Sequence, residues 1–178
     1  TPDDLVKFLA GFDFDRDAPR IHATDATYGE SAMQFMAPPD VDSPRLASLR
    51  AKGGKLIVYH GNSDPVFSVN DTTRWFSKLQ AGAGAEAAGF ARFYQVPGMA
   101  HCSGGPATDQ FDALGALVDW VEHGKAPAAL VAAVNPQNQD LPADWSKTRT
   151  RPLCPWPQVA RHAGGDLESA ASFRCEAP

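Results

Sequence analysis

Gly53-Gly54-Lys55-Leu56-Ile57-Val58-Tyr59-His60-Gly61-Asn62-Ser63-Asp64-Pro65 sets a short apolar run, β-branched at its centre, between two glycines and a Gly-Asn-Ser-Asp-Pro breaker. Leu56 to Tyr59 therefore reads as a buried, parallel strand that ends in a tight loop. Asp64 falls just beyond the strand's carboxyl end, where open α/β sheets carry their ligands and reacting groups. A helix is expected from Ser68 or Asn70 to Ala81, and a second strand from Phe90 to Val96. The loop Pro97-Gly98-Met99-Ala100-His101-Cys102 follows, then a helix from about Asp109 to His123. Phe111, Leu114, Leu117, Val118 and Val121 recur there at helical spacing, Trp120 adds bulk, and Gly124 terminates it. The fold class is α/β.

Upstream, Thr1-Pro2-Asp3-Asp4 has the composition of a helix start, with a Thr cap, Pro in the first turn and acids at the positive end of the dipole. Leu5, Val6, Phe8 and Leu9 give that helix an apolar side, and Gly11 ends it. Asp13, Asp15 and Asp17 alternate like the start of a calcium loop. The Gly and the distant Glu of an EF-hand are missing, so a solvated turn is expected, with Phe12 and Phe14 pointing inward. Ala37-Pro38-Pro39-Asp40 breaks the chain, and Ser43 or Pro44 opens a short helix through Ala51. Leu130 to Val134 reads as one more short strand, and everything from Asn135 onward as coil wrapped over the domain.

The 178 residues suggest a single domain spanning 1–178, large enough for a core. A net charge of -5 without a Lys/Arg cluster argues against a nucleic-acid partner. No apolar run approaches the roughly 18–20 residues of a membrane span. The start at Thr1, without Met or leader, reads as the inside, or the processed form, of something longer. Three cysteines is an odd number. Pairing Cys154 with Cys175 closes a loop of roughly 20 residues, worth about 3 kcal/mol in the chain-entropy account. Cys102 is left over, either a buried free thiol or one whose partner lies outside this chain. The 15 prolines and the long irregular tail favour an oxidising compartment.

Strand, Asp loop, helix, strand, His loop, helix is the order in which the closing third of an α/β-hydrolase supplies the acid and base of a Ser-His-Asp triad. Singly, Asp64 before Pro65 reads as an Asx-turn or helix cap, and His101 as a loop histidine. In register with the two strands, they read as the pair. His60, in the same strand-end loop, reads as a supporting or structural residue. The nucleophile is missing. No Gly-x-Ser-x-Gly occurs, and Ser31 in Gly29-Glu30-Ser31-Ala32 follows no buried strand and lies too close in sequence to Asp64. Ser63 and Ser103 adjoin the acid and the base and cannot be approached in the required geometry.

At these residues the chain resembles the tannase and feruloyl esterase family of α/β-hydrolases. The pieces that carry the resemblance are Gly53 to Gly61 with Asp64, then Gly98-Met99-Ala100-His101-Cys102. In the tail they are Arg151-Pro152-Leu153-Cys154-Pro155-Trp156-Pro157 and Ala171-Ser172-Phe173-Arg174-Cys175. Tyr28-Gly29-Glu30-Ser31-Ala32 is similar as well. The resemblance implies a C-terminal portion of an exported serine esterase, secreted or periplasmic, acting on small aromatic esters such as gallates or ferulates. It further implies that Cys102 is tied by a disulfide to a Cys beside an upstream nucleophile, outside this chain. Phe67 would face the substrate's aromatic ring. The Cys-Ser half, the oxyanion hole and a calcium-binding lid lie upstream in the family, so the chain is expected to carry no cofactor or metal and to be inactive without that N-terminal portion. Two other readings remain from the residues: another α/β-hydrolase such as a prolyl-oligopeptidase-type peptidase, or a non-catalytic binding module. The Cys beside His101 argues against the peptidase.

Overall fold

The computed structural model describes residues 1–37 and 44–178. Contacts gather the chain into two compact units, Thr1–Asp42 and Ser43–Pro178, where the length suggested one domain.

The first unit is short helices held by caps. α1 (Pro2–Ala10) starts at Thr1, whose hydroxyl accepts from the Asp4 N–H while the Asp4 carboxylate reaches back, a reciprocal capping box. α2 (Phe14–Asp17) is capped by Asp13, and Asp17 pairs with Arg16, so two of the three alternating aspartates serve the helix termini. Phe14 does not point inward as expected. It is exposed, with its ring edge-on to Phe12 at 5.1 Å, because this unit offers no core deep enough to take both rings. α3 (Ala32–Met36) is capped by Ser31 and Gln34 in the same reciprocal way.

The second unit is built on two parallel strands, β1 (Leu56–Gly61) and β2 (Ala91–Val96), paired from Leu56↔Ala91 to Gly61↔Val96. In parallel register, paired residues share a face, so alternate positions feed two separate cores. Leu56, Val58, Ala91 and Phe93 pack with Phe76 and Leu79 on one side. Ile57, Tyr94 and Val96 pack with Met99, Leu130, Ala132 and Leu153 on the other. Tyr94 keeps its hydroxyl satisfied by donating to the Pro127 carbonyl, and burial pushes its phenol up to about 12.

α5 (Val69–Ala83), capped by Ser68, supplies Phe76 and Leu79 and makes the crossover between the strands. α4 (Ala47–Ala51) precedes β1; Ser43, one of the two residues expected to open it, lies outside the described residues. α6 (Ala113–His123) begins at the Asp112 cap and ends at Gly124, whose φ of 69° is the left-handed conformation a helix terminator needs. Its buried face differs from the expected one. Leu114, Val118 and Val121 are exposed, while Ala113, Ala116 and Trp120 turn inward. Small alanines let the helix approach the sheet closely, and Trp120 is roofed by Lys55 and Arg92.

The tail is not plain coil. β3 (Leu130–Ala133) pairs antiparallel with β4 (Thr150–Leu153), and β5 (Val159–His162) with β6 (Phe173–Glu176). The Cys154–Cys175 disulfide ties the end of the first ribbon to the second. β3 lies within the strand expected from Leu130 to Val134. The other three escape sequence reading because each is only four residues long, β4 holds Pro152 and β5 is exposed throughout. Among the described residues, no helix is long and apolar enough to cross a membrane.

Candidate active site

Both site-bearing loops leave the carboxyl ends of the parallel pair. Asn62 N–H donates to the Val96 carbonyl at 3.0 Å, and Ser63 N–H to the Met99 carbonyl at 3.1 Å, so the loops are stitched together directly after the strands. The stitch depends on Gly61. A Cβ there would collide with the carbonyl oxygens of Met99 and Ala100, a close backbone approach open only to glycine.

Asp64 sits in the first loop with its side chain only 5% exposed. Its Oδ1 accepts from the backbone N–H groups of Val66 (2.8 Å) and Phe67 (3.0 Å), the Asx-turn that the Asp-Pro sequence suggested. Its Oδ2 lies 2.9 Å from Nδ1 of His101. Asp64 thus serves the turn with one oxygen and meets His101 with the other. The hydrogen bond from His101 holds the carboxyl well below the usual carboxylate range, helped by the Phe67 and Val66 N–H groups against the opposing effect of burial.

His101 stands in the second loop with its side chain 45% exposed, and among the described residues its Nε2 has no hydrogen-bond partner. An ionised carboxylate on Nδ1 fixes the tautomer that leaves Nε2 free to accept a proton. Phe67 is exposed beside it, its ring centre 5.5 Å from the imidazole. A cavity of ≈ 190 Å³ is lined by Tyr59, His60, Gly61, Asp64, Phe67, Met99, His101 and Cys102.

Cys102 is free and exposed, which removes the buried-thiol alternative. It has a φ of 66°, a left-handed conformation that costs a non-glycine residue energy and that occurs where surrounding contacts enforce it. Cys154 and Cys175 are bonded far along the chain from the loops, as the spacing suggested. Ser31 belongs to the first unit, buried, its hydroxyl engaged by the Gln34 N–H, with no strand before it. Among the described residues, no three His, Cys, Asp or Glu side chains converge as a metal site would require.

Supporting contacts come from His60, which the sequence marked as supporting or structural, and from places it did not single out. Gly104 N–H donates to Asp109, Gly105 N–H to Asp140, and Asn138 Nδ2 to the Gly105 carbonyl. His60 meets Thr72 of α5. The one visible hint was the polar run Asn138-Gln139-Asp140 after Pro136, which is a turn signature rather than a site signature.

These features define an α/β protein with a carboxylate–imidazole pair at the carboxyl ends of its parallel strands. The chain belongs to the tannase and feruloyl esterase family, which it matches over residues 5–176. It is 47% identical over 176 residues to the mono(2-hydroxyethyl) terephthalate hydrolase of Piscinibacter sakaiensis, covering 94% of this chain and 26% of that protein. It is 32% identical over 150 residues to feruloyl esterase B of Aspergillus niger, covering 74% of this chain and 28% of that one. Among solved structures, an esterase from Aspergillus oryzae superposes with a TM-score of 0.62 at 28% identity, over 74% of this chain and 29% of that chain. The chain thus spans about a quarter of the length of these relatives.

Proposed function

We propose that this chain is the acid- and base-bearing C-terminal portion of a serine carboxylesterase that cleaves esters of aromatic acids. The observation that carries this reading is the 2.9 Å hydrogen bond between Asp64 and His101, with the imidazole's other nitrogen turned to open space. A serine hydroxyl supplied from outside this chain gives its proton to His101 Nε2 as its oxygen attacks the ester carbonyl. Asp64 holds the ring's orientation and stabilises the imidazolium. When the tetrahedral intermediate collapses, His101 returns the proton to the departing alcohol, and water repeats the cycle on the acyl-enzyme.

Phe67, exposed beside His101, offers an aromatic face to the acid part of the substrate. Cys102, exposed next to the base in an enforced backbone conformation, fits a tether to the loop that brings the nucleophile. A disulfide there and a second one at Cys154–Cys175 accord with an exported, secreted or periplasmic enzyme. The names of the relatives, one a terephthalate monoester hydrolase and one a feruloyl esterase, favour a small aromatic ester as substrate.

The test compares the full-length protein with the isolated chain on methyl ferulate, methyl gallate and mono(2-hydroxyethyl) terephthalate. The full-length protein turns over at least one of them, and His101→Ala lowers that rate on the order of a millionfold, as loss of a triad member does. The isolated chain, without its nucleophile, is inactive. Turnover by the isolated chain that vanishes in Ser31→Ala would overturn the reading.

A further inference from the structure

His60, next to last in β1, has its side chain 13% exposed, and both ring nitrogens are engaged. Nε2 lies 3.1 Å from the Phe67 carbonyl oxygen and 3.3 Å from Oδ2 of Asp64. Both oxygens can only accept, since the carboxylate is ionised, so Nε2 must carry a hydrogen. In the neutral ring Nδ1 is then an acceptor, and the Thr72 hydroxyl 2.7 Å away donates to it. The two oxygens therefore fix the tautomer, and a hydroxyl on α5 anchors the other nitrogen of a histidine that faces the acid of the Asp64–His101 pair.

The geometry points to His60 as a positioning residue: its Nε2–H holds the Phe67 carbonyl and the Asp64 carboxylate in the one arrangement that presents Oδ2 to His101. Four donors surround this carboxylate, two backbone N–H groups on Oδ1 and two imidazoles beside Oδ2. The Phe67 carbonyl accepts from His60 while the Phe67 N–H donates to Asp64, which closes a ring of contacts through the turn. Take the Nε2–H away and both oxygens, one of them charged, lose the donor they share. Nothing then holds Oδ2 on that side, and the carboxylate turns away from His101. Phe67, whose ring leans on His101, moves with the same turn.

The inference rests on the proposed roles of Asp64 and His101, and the experiment separates the two. Steady-state hydrolysis of p-nitrophenyl acetate by the full-length protein is measured for the parent, His101→Ala, His60→Phe, His60→Gln and Thr72→Val. His60→Phe keeps the ring's shape without the donor, and it lowers kcat about 10- to 100-fold, the scale of an ångström-sized misplacement, with KM within about threefold. His60→Gln restores an N–H near the Nε2 position and recovers most of the loss. Thr72→Val removes the anchor on Nδ1, lets the ring turn and lowers kcat severalfold, and it carries the test if His60→Phe fails to fold. Parental kcat in His60→Phe, or in Thr72→Val where that variant carries the test, reduces His60 to packing and overturns the inference. A Gln variant no better than the Phe variant does the same. Parental activity in His101→Ala overturns the proposed function and this inference together.

Discussion

Nδ1 of His101 lies 2.9 Å from Oδ2 of Asp64, although 37 residues and a complete helix separate them in sequence. Two parallel strands ending side by side make this contact, because equal register brings the residues after Gly61 and Val96 to one edge. The contact also decides how the carboxylate titrates. The hydrogen bond from His101 keeps the Asp64 carboxyl depressed, so Asp64 remains ionised well into the acid range.

Asp64→Asn therefore lowers kcat about 10⁴-fold while the fold persists, because an amide stabilises the wrong imidazole tautomer. For stability the sign follows from a folded-state value below the unfolded one. The contribution of Asp64 is complete above the ordinary Asp range near pH 3.9 and fades as the pH falls below it. Thermal melts of parent and Asp64→Asn should converge as the pH is lowered from about 5 to 2. A gap that stays constant over that range would count against the ion's role.

Gly61→Ala tests the stitch between the loops. The added methyl meets two backbone carbonyl oxygens, which cannot rotate aside as side chains can. A loss of about 1–3 kcal/mol in urea unfolding is expected, together with a fall in kcat as the Asp and His loops are pushed apart. Wild-type stability would show that the loops approach each other less closely than described.

The central strand and the pair of loops were legible because their signals are local: an apolar run between breakers, then Asp-Pro and Gly-x-x-His at the strand ends. Caps such as Thr1, Ser68 and Gly124 act within one turn and were equally readable for helix ends. The buried face of α6 was not, because Leu114, Val118 and Val121 have the larger apolar side chains, yet Ala113 and Ala116 allow the closer approach. The tail ribbons and the contacts of His60, Asn138 and Asp140 were hidden for another reason. Polar contacts between distant segments leave no period in a sequence.

Asn138 and Asp140 supply such a contact, clasping Gly105 from both its N–H and its carbonyl. Gly104 is held separately by Asp109. Hydrogen exchange in Asp140→Ala should accelerate at the Gly105 amide and leave Gly104 protected, with kcat falling severalfold because His101 sits on the same loop. Equal acceleration at both amides would mean that the whole loop melts rather than one anchor slipping.

The disulfide carries its own test. With a sequence separation of 21 between Cys154 and Cys175, replacing both by Ala costs about 3 kcal/mol through the entropy restored to the unfolded chain. Denaturant unfolding of the oxidised parent and the double variant measures it, and the loss falls on the ribbon β5–β6 before the β1–β2 core. A variant as stable as the parent would place the tail's stability elsewhere.

Glu168 locks the other side of the tail. Its carboxylate takes Nε of Arg149 at 2.7 Å and a second guanidinium nitrogen alongside, and it also accepts the Ser146 N–H at 3.1 Å. The Arg149 guanidinium stacks 3.9 Å from the Trp145 ring, which leaves it little freedom to follow a displaced partner. The Arg149 hydrogen bond holds the Glu168 carboxyl down at about 2. A folded-state value below the unfolded one means that the stabilisation is present above the ordinary Glu range near pH 4.3 and is lost as the pH falls toward 2. Glu168→Gln should therefore melt below the parent at neutral pH, with the difference shrinking between about pH 5 and pH 2. Because Gln can still accept from Ser146 but not pair with the guanidinium, a difference that does not shrink would assign the effect to packing around Trp145 instead of to charge.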